Sequence, residues 1–154
     1  CVFAGTFDPF TLGHDDTVKK CLALFDEVTI AIAENKRKHC MFSLEERLTM
    51  VQKTYENEPR VKVLAWDGVI VDLLKKENTR FYVRGLRNTV DFEYENADFY
   101  ASRDLDKEMI TLYLPCEKEH LHISSTLVKN CISFGKPFDQ YVPAAVYSYI
   151  TTRG

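Results

Sequence analysis

The sequence predicts a single α/β domain over residues 1–154, built on a doubly wound parallel sheet. Short runs of apolar and β-branched residues alternate with longer segments whose apolar residues recur at helical spacing. That alternation is typical of strand–helix–strand units, in which right-handed crossovers join parallel strands. The length fits one domain with a substantial core, and no repeat, low-complexity tract or linker divides the chain.

Strand and helix signals follow one another in a regular order. We expect strands at residues 1–4, 27–33, 60–65, 81–83 and 109–114, where β-branched, aromatic and aliphatic residues cluster. We expect helices at 17–25 (opening at Gly13-His14), 43–55, 69–77, 91–105, 124–134 and from 143 onward. Ser43 and Glu46 form a capping box for the second helix, and Ser124 or Ser125 caps the fifth.

Composition and charge are those of an ordinary soluble globular protein. Hydrophobic residues make up 45% of the chain, charged residues 28%, and the net charge of −3 does not indicate a nucleic-acid binder. No apolar run approaches a membrane span, and no signal peptide is visible. The odd number of cysteines, without C-x-x-C spacing, favours reduced thiols in a cytoplasmic protein. Because Cys1 already lies in a predicted strand, we expect an initiator Met and a few residues to precede it.

The most informative segment is Gly5-Thr6-Phe7-Asp8-Pro9-Phe10-Thr11-Leu12-Gly13-His14. It joins a strand to a helix, and the unpaired N–H groups and partial positive charge of a helix start favour phosphate. Gly5 and Gly13 allow close backbone approach, and His14 can donate a hydrogen bond to a phosphate oxygen. The same layout also fits a strand–turn–helix without a ligand. A dinucleotide site is disfavoured because neither G-x-G-x-x-G nor G-x-x-x-x-G-K-[ST] is present.

Three further clusters follow other predicted strands. Lys36-Arg37-Lys38-His39 follows the second strand, and Arg84-Gly85-Leu86-Arg87 follows the fourth, where guanidinium groups offer bidentate phosphate contacts. The segment 122–129 follows the fifth strand and brings hydroxyl and N–H groups to a helix start. Each cluster alone could be a solvated loop or a simple serine cap. Together they predict one anion-binding crevice, because the carboxyl ends of parallel strands lie at one edge of the sheet.

Acidic residues open the predicted fourth helix. Asp91 and Glu95 are four positions apart in Asp91-Phe92-Glu93-Tyr94-Glu95 and share one helix face. Acid–base chemistry by this pair is one interpretation, but acids at a helix start also complement the helix dipole without any ligand. Glu95 could instead accept a hydrogen bond from a ribose or orient an arginine.

Taken together, these segments resemble the phosphopantetheine adenylyltransferase family of bacterial nucleotidyltransferases. The matching stretches are GTFDPFTLGH, FSLEER at 42–47, YVRGLRN, DFEYE and ISSTLVK, in family order over essentially the whole chain. The resemblance implies a Rossmann-like fold of nucleotidyltransferase type, with a five-stranded parallel sheet flanked by helices. It also implies transfer of adenylate from ATP to 4′-phosphopantetheine, which gives dephospho-coenzyme A and pyrophosphate by in-line attack without a covalent enzyme intermediate.

Position by position, the resemblance also implies roles for individual residues. Catalysis would rest on His14, Lys38 and Arg84, and the acceptor would contact Thr6, Lys38, Ile70 and Arg84. ATP would contact Thr6, Phe7, His14, Gly85, Leu86, Arg87, Glu95, His120, Leu121, His122, Ile123, Ser124, Ser125 and Thr126. The family further implies Mg²⁺ with ATP, a cytoplasmic homohexamer, feedback inhibition by coenzyme A, and no protein-held metal.

Two departures from the family pattern lead to expectations of their own. The family usually has S-K-K-P where this chain has Arg37-Lys38-His39-Cys40, so we expect a less rigid basic loop. His120 and His122 form an H-x-H pair that could bind a metal, although no third ligand is evident beyond Glu117 or Glu119. Two alternative functions also remain open, a nucleotidyltransferase with another acceptor and a coenzyme A- or nucleotide-binding sensor without catalysis.

Overall fold

The computed structural model describes residues 1–34, 36–88 and 102–153. Parallel strands form one sheet from β1 (Val2–Gly5), β2 (Val28–Ala33), β3 (Val61–Trp66), β4 (Phe81–Leu86) and β5 (Ile110–Pro115). Their spatial order is β3-β2-β1-β4-β5, and helices connect β1 to β2, β2 to β3 and β3 to β4. This arrangement confirms the predicted fold class, a five-stranded parallel sheet flanked by helices.

The described helices agree with the predicted ones to within a few residues at most ends. They are α1 (Leu12–Leu24), α2 (Leu44–Thr54), α3 (Ile70–Lys76), α4 (Ser125–Ser133) and α5 (Ala144–Thr152). Short 3₁₀ turns lie at Lys118–His120 and Asp139–Tyr141. Residues 102–105 are helical and belong to the predicted helix 91–105, whose other residues, Asp91 and Glu95 among them, lie outside the described residues.

Capping boxes define the starts of α1 and α2. In α2, Ser43 Oγ accepts from the Glu46 N–H at 3.2 Å and Glu46 Oε2 accepts from the Ser43 N–H at 2.8 Å, which confirms the predicted cap. Helix α1 begins at Leu12 rather than at position 13, because Thr11 caps it and His14 completes the box. The cap of α1 therefore uses the histidine that the sequence assigns to phosphate binding.

Strand β4 extends three residues beyond its predicted end at position 83. The prediction that residues 84–86 follow the strand is therefore wrong, since Gly85 pairs with Leu114 of β5 and Leu86 with Pro115. A Cβ on Gly85 would lie 2.7 Å from Thr17 Oγ1 of α1. This glycine therefore allows a helix to approach the strand closely, whereas the sequence suggested the approach of a ligand.

Each face of the sheet buries its own hydrophobic cluster. Phe3 belongs to the first cluster, which packs against α1, α2, α4 and α5. Val2 and Ala4 belong to the second cluster, which includes Leu73 and Leu74 of α3. Successive residues of a strand point to opposite faces, which accounts for this division of β1. The chain winds outward from β1 to β3 and then returns to β4, so β1 and β4 flank the switch point where such sheets bind ligands.

The cysteines and the helix lengths agree with the sequence-based expectations. All five cysteines lie within the described residues and are free. Burial raises the pKa of the Cys21 thiol to about 11, so this thiol stays protonated at neutral pH.

None of the described helices is long and apolar enough to cross a membrane.

Candidate active site

A cavity of about 510 Å³ opens at the carboxyl ends of β1, β2, β4 and β5. Its described wall comes from the β1–α1 segment, the loop after β2, the end of β4 and the start of α4. The structure thus brings together the four clusters from which the sequence predicted one anion-binding crevice. Predicted site residues in the wall are Thr6, Phe7, His14, Lys38, Arg84, Gly85, Leu86, Arg87, Ile123, Ser124, Ser125 and Thr126.

The capping box of α1 fixes both the orientation and the tautomer of His14. The Thr11 N–H donates to His14 Nδ1 at 3.0 Å, and the His14 N–H donates to Thr11 Oγ1 at 3.4 Å. Because Nδ1 accepts a hydrogen bond from a backbone N–H, it carries no proton in the neutral ring. The proton of neutral His14 is therefore on Nε2, on the side of the ring away from the cap.

Aromatic rings and nearby cations keep His14 neutral. Its ring lies 4.9 Å from that of Phe7 and 5.3 Å from that of Phe10, measured between centroids. Burial, with the positive charges of Arg87 and Arg84 as lesser causes, lowers the pKa of His14 from 6.5 to about 3. His14 can therefore donate a hydrogen bond at neutral pH without carrying a charge.

The turn after β1 is shaped by the buried ring of Phe7. A Cβ on Gly5 would lie 2.9 Å from this ring, so the glycine leaves room for it. Phe7 has a φ of +52°, in the left-handed region that is unfavourable for a bulky residue. Since only 3% of Phe7 is exposed, this residue contributes little surface to the cavity wall.

Arg47 is a buried residue of the site that the sequence analysis did not single out. It is 4% exposed, and it donates from Nη1 to the Thr6 carbonyl at 2.7 Å and to the Ala33 carbonyl at 3.1 Å. It thereby ties the end of β1 to the end of β2. The sequence did contain a signal for the burial of Arg47, because this residue shares the buried face of α2 with Met50 and Val51 at helical spacing.

Asp8 is a second residue that the sequence analysis missed. Its carboxylate is 5% exposed and accepts from the Met41 and Phe42 N–H groups at 2.9 Å each. Lys129 of α4, which lines the cavity, lies 3.3 Å from the same carboxylate. Asp8 therefore anchors the chain directly after the basic loop that follows β2. Asp8 lies within the segment 5–14 that the sequence analysis singled out, but its partners are 33 or more positions away, so its own role was not visible in the sequence.

Arg84 and Arg87 bring guanidinium groups from β4 to the cavity. Arg84 Nη1 donates to the Ala4 carbonyl of β1 at 3.0 Å and to the Tyr82 hydroxyl at 2.6 Å. Arg87 Nη1 donates to the Ile123 carbonyl at 3.2 Å, which joins the end of β4 to the segment before α4. Both arginines are therefore held by protein groups as well as being part of the cavity wall.

The two serines before α4 have separate tasks. Ser124 caps the helix, since its Oγ accepts from the Leu127 N–H at 3.0 Å, and this decides between the two predicted caps. Ser125 Oγ donates to the Pro9 carbonyl at 2.8 Å, which attaches the start of α4 to the turn after β1. The start of α4 thereby lines the same cavity as the start of α1.

Three predicted ATP residues are absent from the described wall of the cavity. His120 Nδ1 lies 2.6 Å from Oδ2 of buried Asp16, Leu121 is 48% exposed, and the His122 ring packs edge-on to Tyr141. Within the described residues no group of three His, Cys, Asp or Glu side chains could hold a metal ion. The H-x-H metal site is therefore not supported, because the two histidines turn to different partners.

Of the remaining two predicted site residues, the structure describes only Ile70, which is not part of this wall. Ile70 begins α3 and packs against the second hydrophobic cluster, on the face of the sheet opposite to His14. Glu95 lies outside the described residues. Their roles stay predictions.

Comparison with known proteins reveals extensive similarity. A family model described as cytidylyltransferase-like matches residues 2–131, which include every described segment of the cavity wall. A phosphopantetheine adenylyltransferase from Flavobacterium johnsoniae is 43% identical over 145 residues, spanning 94% of this chain and 95% of the relative. Proteins of the same name from Thermotoga neapolitana and Campylobacter jejuni are 40% and 37% identical, over 94% and 97% of this chain and 90% and 95% of their own length.

Proposed function

The chain belongs to the cytidylyltransferase-like family and to its phosphopantetheine adenylyltransferases, and we propose that it transfers adenylate from ATP to 4′-phosphopantetheine. The products are dephospho-coenzyme A and pyrophosphate. One observation carries this proposal: a neutral His14, cationic side chains and two helix starts surround a single cavity at the switch point of the sheet. Such a cavity suits two substrates that meet through their phosphates.

The triphosphate of ATP would lie against the starts of α1 and α4. The starts of both helices line the cavity and bring the partial positive charge of a helix N-terminus to it, and Arg87 adds a full charge beside the segment before α4. The ATP contacts expected of Thr6 and Ser125 agree with their position in the cavity wall.

The acceptor phosphate would lie between Lys38 and Arg84, which approach the cavity from the ends of β2 and β4. Ile70 packs on the same face of the sheet as Tyr82, whose hydroxyl contacts Arg84. A pantetheine arm that leaves the phosphate at Arg84 could therefore run along this face toward α3. That path agrees with the acceptor contact expected of Ile70.

The reaction needs positioning and charge stabilisation rather than a protein nucleophile. An oxygen of the acceptor phosphate, already anionic, attacks the α-phosphorus of ATP in line and forms a new P–O bond. The bond between the α-phosphorus and its bridging oxygen breaks, and its electron pair leaves with pyrophosphate. His14 Nε2–H and the Lys38 ammonium would donate to the transferring group as charge redistributes on its oxygens.

Membership of this nucleotidyltransferase family points to a divalent cation acting with ATP. The ion we propose is Mg²⁺, which would enter bound to the triphosphate as part of the MgATP substrate. It would shield the charge of the pyrophosphate leaving group. Chelation of Mg²⁺ should abolish turnover, and adding Mg²⁺ back should restore it.

The family resemblance adds three further properties to the proposal. They are a homohexamer, feedback inhibition by coenzyme A and a cytoplasmic location. Exposed apolar side chains such as Leu24 and Phe134, 60% and 76% exposed, would suit contacts between subunits. Light scattering of the purified protein would measure its mass, and coenzyme A titrated into the assay would test inhibition.

The deciding experiment measures pyrophosphate release from MgATP with several acceptors. These are 4′-phosphopantetheine, nicotinate mononucleotide and glycerol 3-phosphate, with pantetheine as the matched control that lacks the phosphate. Release with 4′-phosphopantetheine alone is the expected result. Release with a different acceptor would keep the reaction type and overturn the substrate, whereas binding of coenzyme A and ATP without release would indicate a sensor.

A further inference from the structure

Tyr82 makes two contacts with Arg84 that fix the plane of its guanidinium group. The two residues are two positions apart on β4, so their side chains project from the same face of the sheet. Arg84 Nη1 donates to the Tyr82 hydroxyl at 2.6 Å. The guanidinium carbon also lies 5.5 Å from the centroid of the Tyr82 ring, within the range of a cation–π interaction.

A carbonyl of the neighbouring strand also contacts Arg84. The same Nη1 atom donates to the Ala4 carbonyl of β1 at 3.0 Å. The two hydrogens of Nη1 are thus directed at two fixed oxygens, one from the main chain of β1 and one from a ring anchored on β4. Two such contacts at one planar group constrain the orientation of the guanidinium at the cavity.

Tyr82 is itself anchored outside the cavity. Its ring packs against the second hydrophobic cluster, beside Val2 and Ala4 of the central strand. Tyr82 is not among the described residues of the cavity wall, whereas Arg84 is. Within the described residues, Tyr82 is therefore linked to the cavity through Arg84.

We infer that Tyr82 is a positioning residue that orients Arg84 toward the acceptor phosphate. This inference rests on the proposed function, in which Arg84 binds that phosphate. Arginine has many rotamers, and a side chain that is already held in its binding orientation loses less conformational entropy when the phosphate arrives. Tyr82 would thereby increase selectivity for a phosphorylated acceptor without touching it.

The test compares the binding of 4′-phosphopantetheine and pantetheine to the full chain by calorimetry. Tyr82→Phe keeps the ring on the cluster and removes only the hydroxyl. We expect the ratio of the two dissociation constants to fall by about tenfold, because a hydrogen bond to a charged group is lost. The affinity for ATP should change by less than about twofold, since the triphosphate lies elsewhere in the cavity.

A matched control and a double-variant cycle exclude a general loss of structure. Tyr147→Phe removes a hydroxyl from α5, none of whose residues line the cavity, and should leave the ratio unchanged. If Tyr82 acts through Arg84, Tyr82→Phe should have little further effect in an Arg84→Met background.

An unchanged ratio in Tyr82→Phe, or independent effects of the two substitutions, would overturn the inference. Equal losses for ATP and for both acceptors would also overturn it, because they would indicate a structural role. Failure of the wild-type chain to prefer 4′-phosphopantetheine over pantetheine would instead count against the proposed function.

Discussion

His14 and Arg84 stand beside the ends of the neighbouring strands β1 and β4, yet the fold prepares them in opposite ways. His14 is held by Thr11, three positions away in its own capping box, and its ring is kept neutral. Arg84 keeps its charge and is held by Ala4, 80 positions away on another strand, together with Tyr82. One donor is thus neutral and locally fixed, and the other is charged and fixed by tertiary contacts.

The difference suits two tasks at one reaction centre. A charged arginine attracts and holds an anionic substrate before any bond changes. A neutral imidazole adds little to ground-state binding, so its hydrogen bond can be reserved for the oxygens whose charge changes in the transition state. Arg84 would therefore govern the binding of the acceptor, whereas His14 would govern the rate of the chemical step.

The largest expected effect is that of His14→Ala. We expect kcat to fall by about 10²- to 10³-fold, because a donor to the transferring group is lost, while the KM values for ATP and the acceptor change by less than about threefold. Steady-state pyrophosphate release measures these constants, and thermal melting checks that the variant folds. Turnover comparable to wild type would remove His14 from the mechanism.

Arg84→Met should have a smaller effect of a different kind. We expect kcat/KM for 4′-phosphopantetheine to fall by about 10²-fold, mainly through KM, because the lost contact is a charge-assisted one to the substrate. The same assay with ATP as the varied substrate should show a change of less than about threefold. A loss confined to kcat would reverse the division of tasks between Arg84 and His14.

Substitution of the capping residues of α1 and α2 distinguishes an effect on the orientation of His14 from an effect on the stability of the fold. Thr11→Ala and Ser43→Ala should each lower the free energy of unfolding by about 1 kcal/mol, as measured by urea denaturation, because each removes a capping side chain. Only Thr11→Ala should also lower kcat, by about tenfold, because it removes the hydroxyl that lies 3.2 Å from His14 Nδ1, although the main-chain N–H that also contacts Nδ1 is retained. Equal activities of the two variants would show that the cap does not position His14.

The smallest expected effect concerns the titration of His14. With a pKa of about 3, its ring resonance, identified by its loss in His14→Gln, should not shift between pH 8 and pH 5 in a proton NMR titration. A shift centred near 6.5 would show that the ring is solvated rather than enclosed by phenylalanines.

The same pKa also implies a change of stability with pH. A histidine whose pKa is lowered in the folded state contributes stability above about pH 6.5, which is lost as the pH falls from 6.5 toward 3. Wild type should therefore lose more stability between pH 8 and pH 5 than His14→Gln does. Urea denaturation at both pH values measures the difference, and parallel losses in the two proteins would contradict it.

Features set by near neighbours were predictable from the sequence. Ser43 with Glu46 signalled the start of α2, and the two serines before α4 marked its cap to within one residue. The strand–helix alternation predicted the parallel sheet, and that sheet placed the four anion-binding clusters at one edge. These inferences depended on spacings of a few residues, which a sequence displays directly.

Features set by distant partners were not predictable in the same way. Strand β4 continues through Gly85 because β5 lies beside it, although glycine is a poor strand former. Asp8 and Arg47 become parts of the site only through partners that lie up to 121 and 41 positions away. His120 turns toward Asp16, 104 positions away, instead of toward the cavity. The chemical type of a residue does not show which distant residue it contacts in the fold.

The contacts of Asp8 also bear on when during synthesis the protein becomes able to bind its substrates. This one carboxylate joins the turn after β1 to residues 41–42 and to Lys129. A nascent chain therefore cannot complete the cavity until Lys129 has left the ribosome. We expect ATP binding to appear abruptly and late in translation, and chains truncated before α4 should not compete with the finished enzyme for nucleotide.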